Sequence, residues 1–295
     1  MDLRRPSYSE TPLVKTKIIA TVGPACGDRA GLQELARAGV DLFRLNFAHG
    51  EHDWLQEIAG HIRSVAEELE RPIGILGDLA GPKIRLGPLP EQGVFCEIGQ
   101  RFEFVRAADR SDPRQLTSTY DGLVDDLRVG DRVLLADGTV SMNVIDSDGQ
   151  EGRALCEVEH PGLIRSRQGI NLPGVAIKLP TLTDKDREDV AWAVEHQIDF
   201  LGLSFVRSPE DIDLLRSVIE EHASNTPPQI VAKIEKLEAV TQIEEILERT
   251  DAAMVARGDL GVEVDMARVP VMQKRIIKLC KQYRVPVITA TQMLD

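Results

Sequence analysis

Lys233 and Glu235 stand two residues apart at the end of the apolar run 230–235, and Asp259 follows the next apolar run, 252–257, within Arg257-Gly258-Asp259. Side chains two apart on a β-strand point to one face, so Lys233 and Glu235 share a direction. In a parallel β/α barrel the loops after the strands converge on one mouth, and chemistry collects there. Glu235 and Asp259 offer hard oxygen ligands suited to Mg2+ or Mn2+. The Lys233 ammonium suits a phosphoryl group in transit, where neutralising charge is the main task. An exposed ion pair is the plainer reading of an isolated Lys-x-Glu and is worth only about 0–1 kcal/mol. The position of both clusters at strand ends favours chemistry.

Further candidates lie at other strand ends. Segment 258–261 reads as a short turn or helix start, whose free N–H groups can hold a carboxylate or phosphate, against an ordinary turn. Arg44 and Asn46 repeat the two-residue spacing after a second run, with His49 just beyond. Arg44 is a structural anchor or a clamp for an anion. His49-x-x-His52 is poor metal spacing, and turn hydrogen bonding explains it better. In 77–85, Gly and Pro fix a crossing into a second domain, while Lys83 and Arg85 place two cations where a nucleotide could lie between domains.

The elements that must position these residues follow one rhythm at both ends of the chain. Strands are expected at 17–22, 40–46, 73–78, 200–205, 230–235, 252–257 and 286–290. Helices are expected at 29–38 (ending at Gly39), 53–68, 183–196, from Ser208-Pro209, 237–248 and 271–283. Strands alternating with helices predict an α/β fold with a parallel sheet. The middle of the chain breaks the rhythm: short β-prone runs meet at Asp137-Gly138 and Asp148-Gly149, both strong hairpin signals. The expectation is a (β/α)8-type (TIM) barrel formed by 1–87 and 170–295, carrying an inserted small antiparallel β-barrel domain at 88–169. Seven strand candidates, where a closed barrel needs eight, predict a barrel incomplete at its C-terminal end.

Composition narrows the function classes. Acidic residues outnumber basic ones, 48 to 35, which argues against a broad nucleic-acid surface. No apolar stretch approaches the roughly 20 residues of a membrane span. The four cysteines, Cys26, Cys96, Cys156 and Cys280, lack metal-ligand spacing and read as inert thiols of a reducing cytoplasm.

Taken together, segments 16–24, 44–50, 78–85, 169–174, 203–205, 232–235, 254–261 and 290–294 resemble the pyruvate kinase family, in order and at plausible spacing. The resemblance implies transfer of a phosphoryl group from phosphoenolpyruvate to ADP, giving pyruvate and ATP, with Mg2+ or Mn2+. By family pattern Lys233 stabilises the phosphoryl group, and Glu235 and Asp259 hold the divalent ion. Backbone groups of Gly258 and Asp259, with Thr291, hold the substrate carboxylate, and Thr291 lies near where the enolate is protonated. Arg44 contacts the phosphoryl group, and Asn46, His49 and Arg85 line the nucleotide side. The inserted domain would be a lid that excludes water. The alternatives are another metal-dependent barrel acting on pyruvate or phosphoenolpyruvate, and a catalytically inactive fragment.

Departures from the family pattern carry their own expectations. Family members that depend on K+ usually have Ser, Thr and Glu where this chain has Ala48, Leu79 and Lys83. Lys83 would supply the positive charge in place of the ion, so K+ is expected not to be required. The chain is also expected to be a truncated form, ending before the eighth strand and the C-terminal domain that in the full-length family carries much of a homotetramer interface.

Overall fold

The structure, a computed structural model, describes residues 15–109, 112, 114–222, 226–264 and 266–291. The chain divides into two compact units, Met1–Leu76 and Gly77–Asp295. In the first, β1 (Ile19–Thr21), α1 (Arg29–Arg37), β2 (Leu42–Asn46) and α2 (His52–Glu68) alternate, and β3 (Gly74–Asp78) runs on into the second unit. β1 and β2 pair in parallel, with Thr21 opposite Arg44. Asp28 caps α1 by accepting from the Gly31 N–H at 2.9 Å. Gly39, at φ +111°, carries the chain past the helix end, a conformation that costs glycine little. α2 begins at His52, one residue before the expected start.

The second unit opens with the inserted segment. Its strands are β4 (Val94–Cys96), β5 (Arg101–Val105), β6 (Gln115–Leu116), β7 (Arg132–Leu135), β8 (Val140–Asp148), β9 (Arg153–His160), β10 (Gly162–Ile164) and β11 (Ile170–Asn171), with a short α3 (Leu123–Asp126) after β6. Six of them form a sheet in the order β11-β7-β8-β9-β5-β6, while β10 and β4 pair separately. Both Asp-Gly hairpins are present: Ala136, Asp137 and Gly138 take positive φ between β7 and β8, and β9 folds back on β8. Register shifts along β8·β9 mark bulges, which bend a strand. Alternation along β9 sends Ala154, Cys156 and Val158 into a core with Phe102, Phe104, Val133 and Met142. The insertion is not wholly antiparallel, because β5 and β6 pair in parallel.

The strand–helix rhythm then resumes with α4 (Asp184–Glu195), β12 (Phe200–Leu203), α5 (Pro209–His222), β13 (Gln229–Ile234), α6 (Leu237–Thr241), α7 (Ile243–Leu247), β14 (Ala252–Val255), α8 (Arg257–Glu263), α9 (Val269–Tyr283) and β15 (Val287–Thr289). β12, β13, β14 and β15 pair in sequence, all parallel. β14 is buried at every position, as a strand covered on both faces must be. Thr183 and Asp186 form the expected capping box at α4. At α5 the Asp211 carboxylate accepts from the N–H groups of Arg207 and Ser208 at 2.7 and 3.0 Å.

One helix expected over 237–248 is instead two. Gln242 leaves helical geometry (φ −101°, ψ 22°), and its side-chain Nε2 donates to the Arg207 carbonyl at 3.1 Å. That tertiary bond pins the break. The strands are also shorter at their C-terminal ends than their apolar runs, so Phe205, Glu235 and Arg257 lie just past β12, β13 and in α8.

Candidate functional site

Lys233, on β13, sends its ammonium into a ring of oxygens: Ser204 Oγ at 2.7 Å, Glu235 Oε1 at 3.0 Å and Asp78 Oδ1 at 3.1 Å. Asp78 ends β3, Ser204 follows β12 and Glu235 follows β13, so three strand ends meet on one cation. The Lys233 side chain is only 12% exposed and the two carboxylates 3% or less. This is a buried cluster, not an ion pair on a rim. Burial pulls the Lys233 ammonium toward neutrality, but Glu235 and Asp78 outweigh it and the group is held above its ordinary range. Lys233 therefore stays charged.

Glu235 is poised differently. Burial pushes its carboxyl up; Lys233 and the Phe205 N–H pull it down, and Asp259 pushes it up again, with a net rise. Two carboxylates share one ammonium while a third lies near enough to be felt. That excess of negative charge suits a divalent cation. Glu235 and Asp259 also match the one or two carboxylates that Mg2+ usually takes from protein, the rest of its shell being substrate and water.

The scaffold behind the cluster is backbone in unusual conformations. Phe205 adopts φ +56°, rare for a bulky residue, and its N–H donates to Glu235 Oε2 at 2.8 Å. Beside it, Gly81 has φ +65°, and a Cβ there would stand 2.9 Å from Phe205 Cδ2. The Gly81 N–H donates to Asp186 Oδ1 at 3.1 Å, while Asp186 Oδ2 caps α4. One fully buried carboxylate thus secures both the 79–82 turn and a helix start. Ser204 Oγ–H donates to the Leu79 carbonyl at 2.7 Å, tying the same turn to the oxygen that meets Lys233.

Around this centre, Lys83 Nζ lies 3.9 Å from Asp259 Oδ1. Asp259 sits in α8, a seven-residue helix that begins at Arg257 and contains Gly258. Arg257 Nη2 donates to the carbonyls of Ala290 and Thr291, both at 2.6 Å, which fixes the chain at Thr291. Residues 292–294 of the same sequence motif lie outside the described residues. Arg85 is held elsewhere: its N–H donates to Thr119 Oγ1 at 3.0 Å and its guanidinium to the Arg167 carbonyl at 3.1 Å. In the first unit, Arg44 donates to Thr21 Oγ1 at 3.0 Å. Asn46 Oδ1 accepts from the Ala48 N–H at 3.1 Å, and the His49 N–H donates to the Asn46 carbonyl at 3.3 Å. The second unit therefore brings together Lys233, Glu235, Asp259 and Lys83, whereas in the first unit Arg44 and Asn46 lie on β2 and His49 in the turn that follows it.

Sequence reasoning assigned no role to Asp78 or Ser204. Asp78 carried the same positional signal as Glu235, a carboxylate at a strand end. Ser204 carried none beyond its place after β12. Among the described residues no group of three or more His, Cys, Asp or Glu could hold a metal by itself, so any ion here must draw on ligands beyond the two carboxylates.

Residues 13–295 match the family model described as "Pyruvate kinase, barrel domain". The chain is 40% identical over 281 residues to a pyruvate kinase from Staphylococcus haemolyticus, covering 95% of this chain and 48% of that protein. With a pyruvate kinase from Corynebacterium glutamicum the identity is 41%, over 95% of this chain and 58% of the other. A crystal structure of a pyruvate kinase from Cryptosporidium parvum superimposes with a TM-score of 0.88 at 35% identity, covering 95% of this chain and 58% of that one. The chain spans about half the length of the curated relatives it matches.

Proposed function

This chain belongs to the pyruvate kinase family, and from that premise we propose that its β-strand ends carry the transfer of a phosphoryl group from phosphoenolpyruvate to ADP. The observation that carries the reading is the buried Lys233 ammonium with its ring of Asp78, Ser204 and Glu235 oxygens. A charged ammonium held in a dry site stabilises charge on a moving phosphoryl group without reorganising at the moment of reaction.

In this reading Lys233 meets the phosphoryl oxygens as the phosphorus passes from the enolate oxygen to the ADP terminal oxygen. Glu235 and Asp259 would hold Mg2+ or Mn2+. The bound ion supplies Lewis-acid charge stabilisation to the phosphoryl and enolate oxygens. Gly258 and Asp259 backbone groups and Thr291 orient the substrate carboxylate, Arg44 contacts the phosphoryl group, and Asn46, His49 and Arg85 face the nucleotide. The inserted sheet excludes water, so that transfer outruns hydrolysis. Lys83, 3.9 Å from Asp259, stands in for a monovalent cation. In a longer form the family pattern implies a homotetramer. The reading places the enzyme in the cytoplasm; among the described residues no helix is long and apolar enough to cross a membrane.

The test is ATP formation from phosphoenolpyruvate and ADP with Mg2+, by this chain and by the longest form its cells make. ADP-dependent turnover that disappears in Lys233→Ala supports the reading. Turnover of phosphoenolpyruvate or pyruvate without ADP points to a different barrel enzyme. No turnover by the longest form, under saturating substrate and metal, points to an inactive relative.

A further inference from the structure

Lys236 and Glu263 form a second buried ion pair that the proposed chemistry does not use. Their Nζ–Oε1 separation is 2.5 Å, with side chains 13% and 1% exposed. The pair's place in the chain gives it a function. Lys236 is the residue after Glu235, and Glu263 lies four residues beyond Asp259 on α8, one helical turn away on the same side. Each partner is thus covalently close to one of the two carboxylates assigned to the metal. The Asn171 side chain, on β11, the last strand of the inserted sheet, stands beside Glu263 and favours its charged form. Asn171 and Lys236 both line a cavity of about 260 Å³, whose wall includes Lys83, Phe205 and Arg207.

The geometry leads us to propose that the Lys236–Glu263 pair is a positioning brace: it sets the separation of Glu235 and Asp259, and through Asn171 it couples that separation to the inserted sheet. The proposal rests on the assignment of Glu235 and Asp259 as metal ligands. α8 has only seven residues and no side-chain cap, so its own hydrogen bonds hold its orientation weakly. The loop after β13 likewise has no capping bond at Lys236. A buried ion pair between the two is short, directional and expensive to break on one side only. Groups that orient metal-binding residues from behind are typically worth about 10- to 100-fold in metal affinity.

The experiment measures Mn2+ binding to the full chain by electron paramagnetic resonance of free Mn2+, without substrates. The key variant is Lys236→Met with Glu263→Gln, which loses one charge of each sign and so leaves net charge unchanged. Gln keeps a partner for Asn171. If the brace positions the ligands, this variant melts cooperatively and binds Mn2+ at least about tenfold more weakly, and Asn171→Ala weakens binding in the same direction. Wild-type affinity in the folded double variant overturns the proposal. Should the double variant fail to fold, Glu263→Asp decides: it keeps the charge but withdraws the carboxylate by one methylene, and unchanged affinity overturns the brace. Glu235→Gln separates the two levels of inference. If it leaves Mn2+ binding intact, the ligand assignment falls and the brace with it.

Discussion

The backbone N–H of Phe205 donates to Glu235 Oε2 at 2.8 Å, so the chain leaving one strand sets the direction of a carboxylate on the next. Phe205 does this in a left-handed conformation, φ +56°. Strain of this kind persists where surrounding structure over-determines it, and here the surroundings are Gly81 and Ser204. A Cβ at Gly81 would meet Phe205 Cδ2 at 2.9 Å and Ser204 Cβ at 3.0 Å, and Gly81 itself has φ +65°. Gly81→Ala should therefore destabilise the fold by more than about 1 kcal/mol and disturb both Glu235 and Lys233. A urea midpoint equal to wild type would contradict the role given to this glycine.

Lys233→Ala should abolish phosphoryl transfer while Mn2+ still binds through Glu235 and Asp259. It should also cost about 3–5 kcal/mol of stability, because Asp78 and Glu235 are left buried without their shared cation. Chemical denaturation and Mn2+ titration of the same variant check both halves. Unchanged turnover would remove Lys233 from its assigned role.

Potassium gives a sharp test of Lys83. With its ammonium 3.9 Å from Asp259, adding K+ to a K+-free assay should leave the rate unchanged, while Lys83→Glu should make the rate rise with K+. A strong rise with K+ in the unmutated protein would sink the substitution of lysine for ion.

Tyr120 provides a pH-dependent signature within the inserted segment. Its hydroxyl donates to Asp126 Oδ2 at 2.5 Å. Burial first, and then this bond to a carboxylate, push its ionisation from 10.0 up to about 12. The folded state holds the proton longer than the unfolded chain, so the stabilisation is complete below about pH 10 and is lost as pH rises through about 12. Ultraviolet titration should show a tyrosine ionising late, absent in Tyr120→Phe, and alkaline unfolding should begin earlier in that variant.

Thiol chemistry should be equally selective. Cys96, Cys156 and Cys280 are buried, and burial raises their thiols to about 11, 12 and 11. Cys26 is half-buried and unpaired with any other cysteine. A disulfide reagent at mildly alkaline pH should label Cys26 in the native protein and the other three only after denaturation. Rapid native labelling of Cys156 would contradict the packed core of the inserted sheet.

The alternation of strands and helices was legible because each element announces itself locally: apolar runs in 230–235 and 252–257, the capping box at Thr183, and Asp137-Gly138 between two β-prone runs. The pairing of Lys233 with Glu235 was legible too, since two residues on one strand share a face whatever surrounds them. What the sequence could not decide were the relationships between strands. Asp78 and Ser204 join Lys233 only in the folded chain, where β12 and β13 pair in parallel and Ser204 bonds the Leu79 carbonyl just past Asp78. The break at Gln242 depends on a carbonyl 35 residues away, and no local signal marks the β5–β6 pair as parallel. Local propensity sets which element forms. Burial, and the distances it imposes between charges far apart in the chain, set whether Lys233 is a rim lysine or the buried cation of a site.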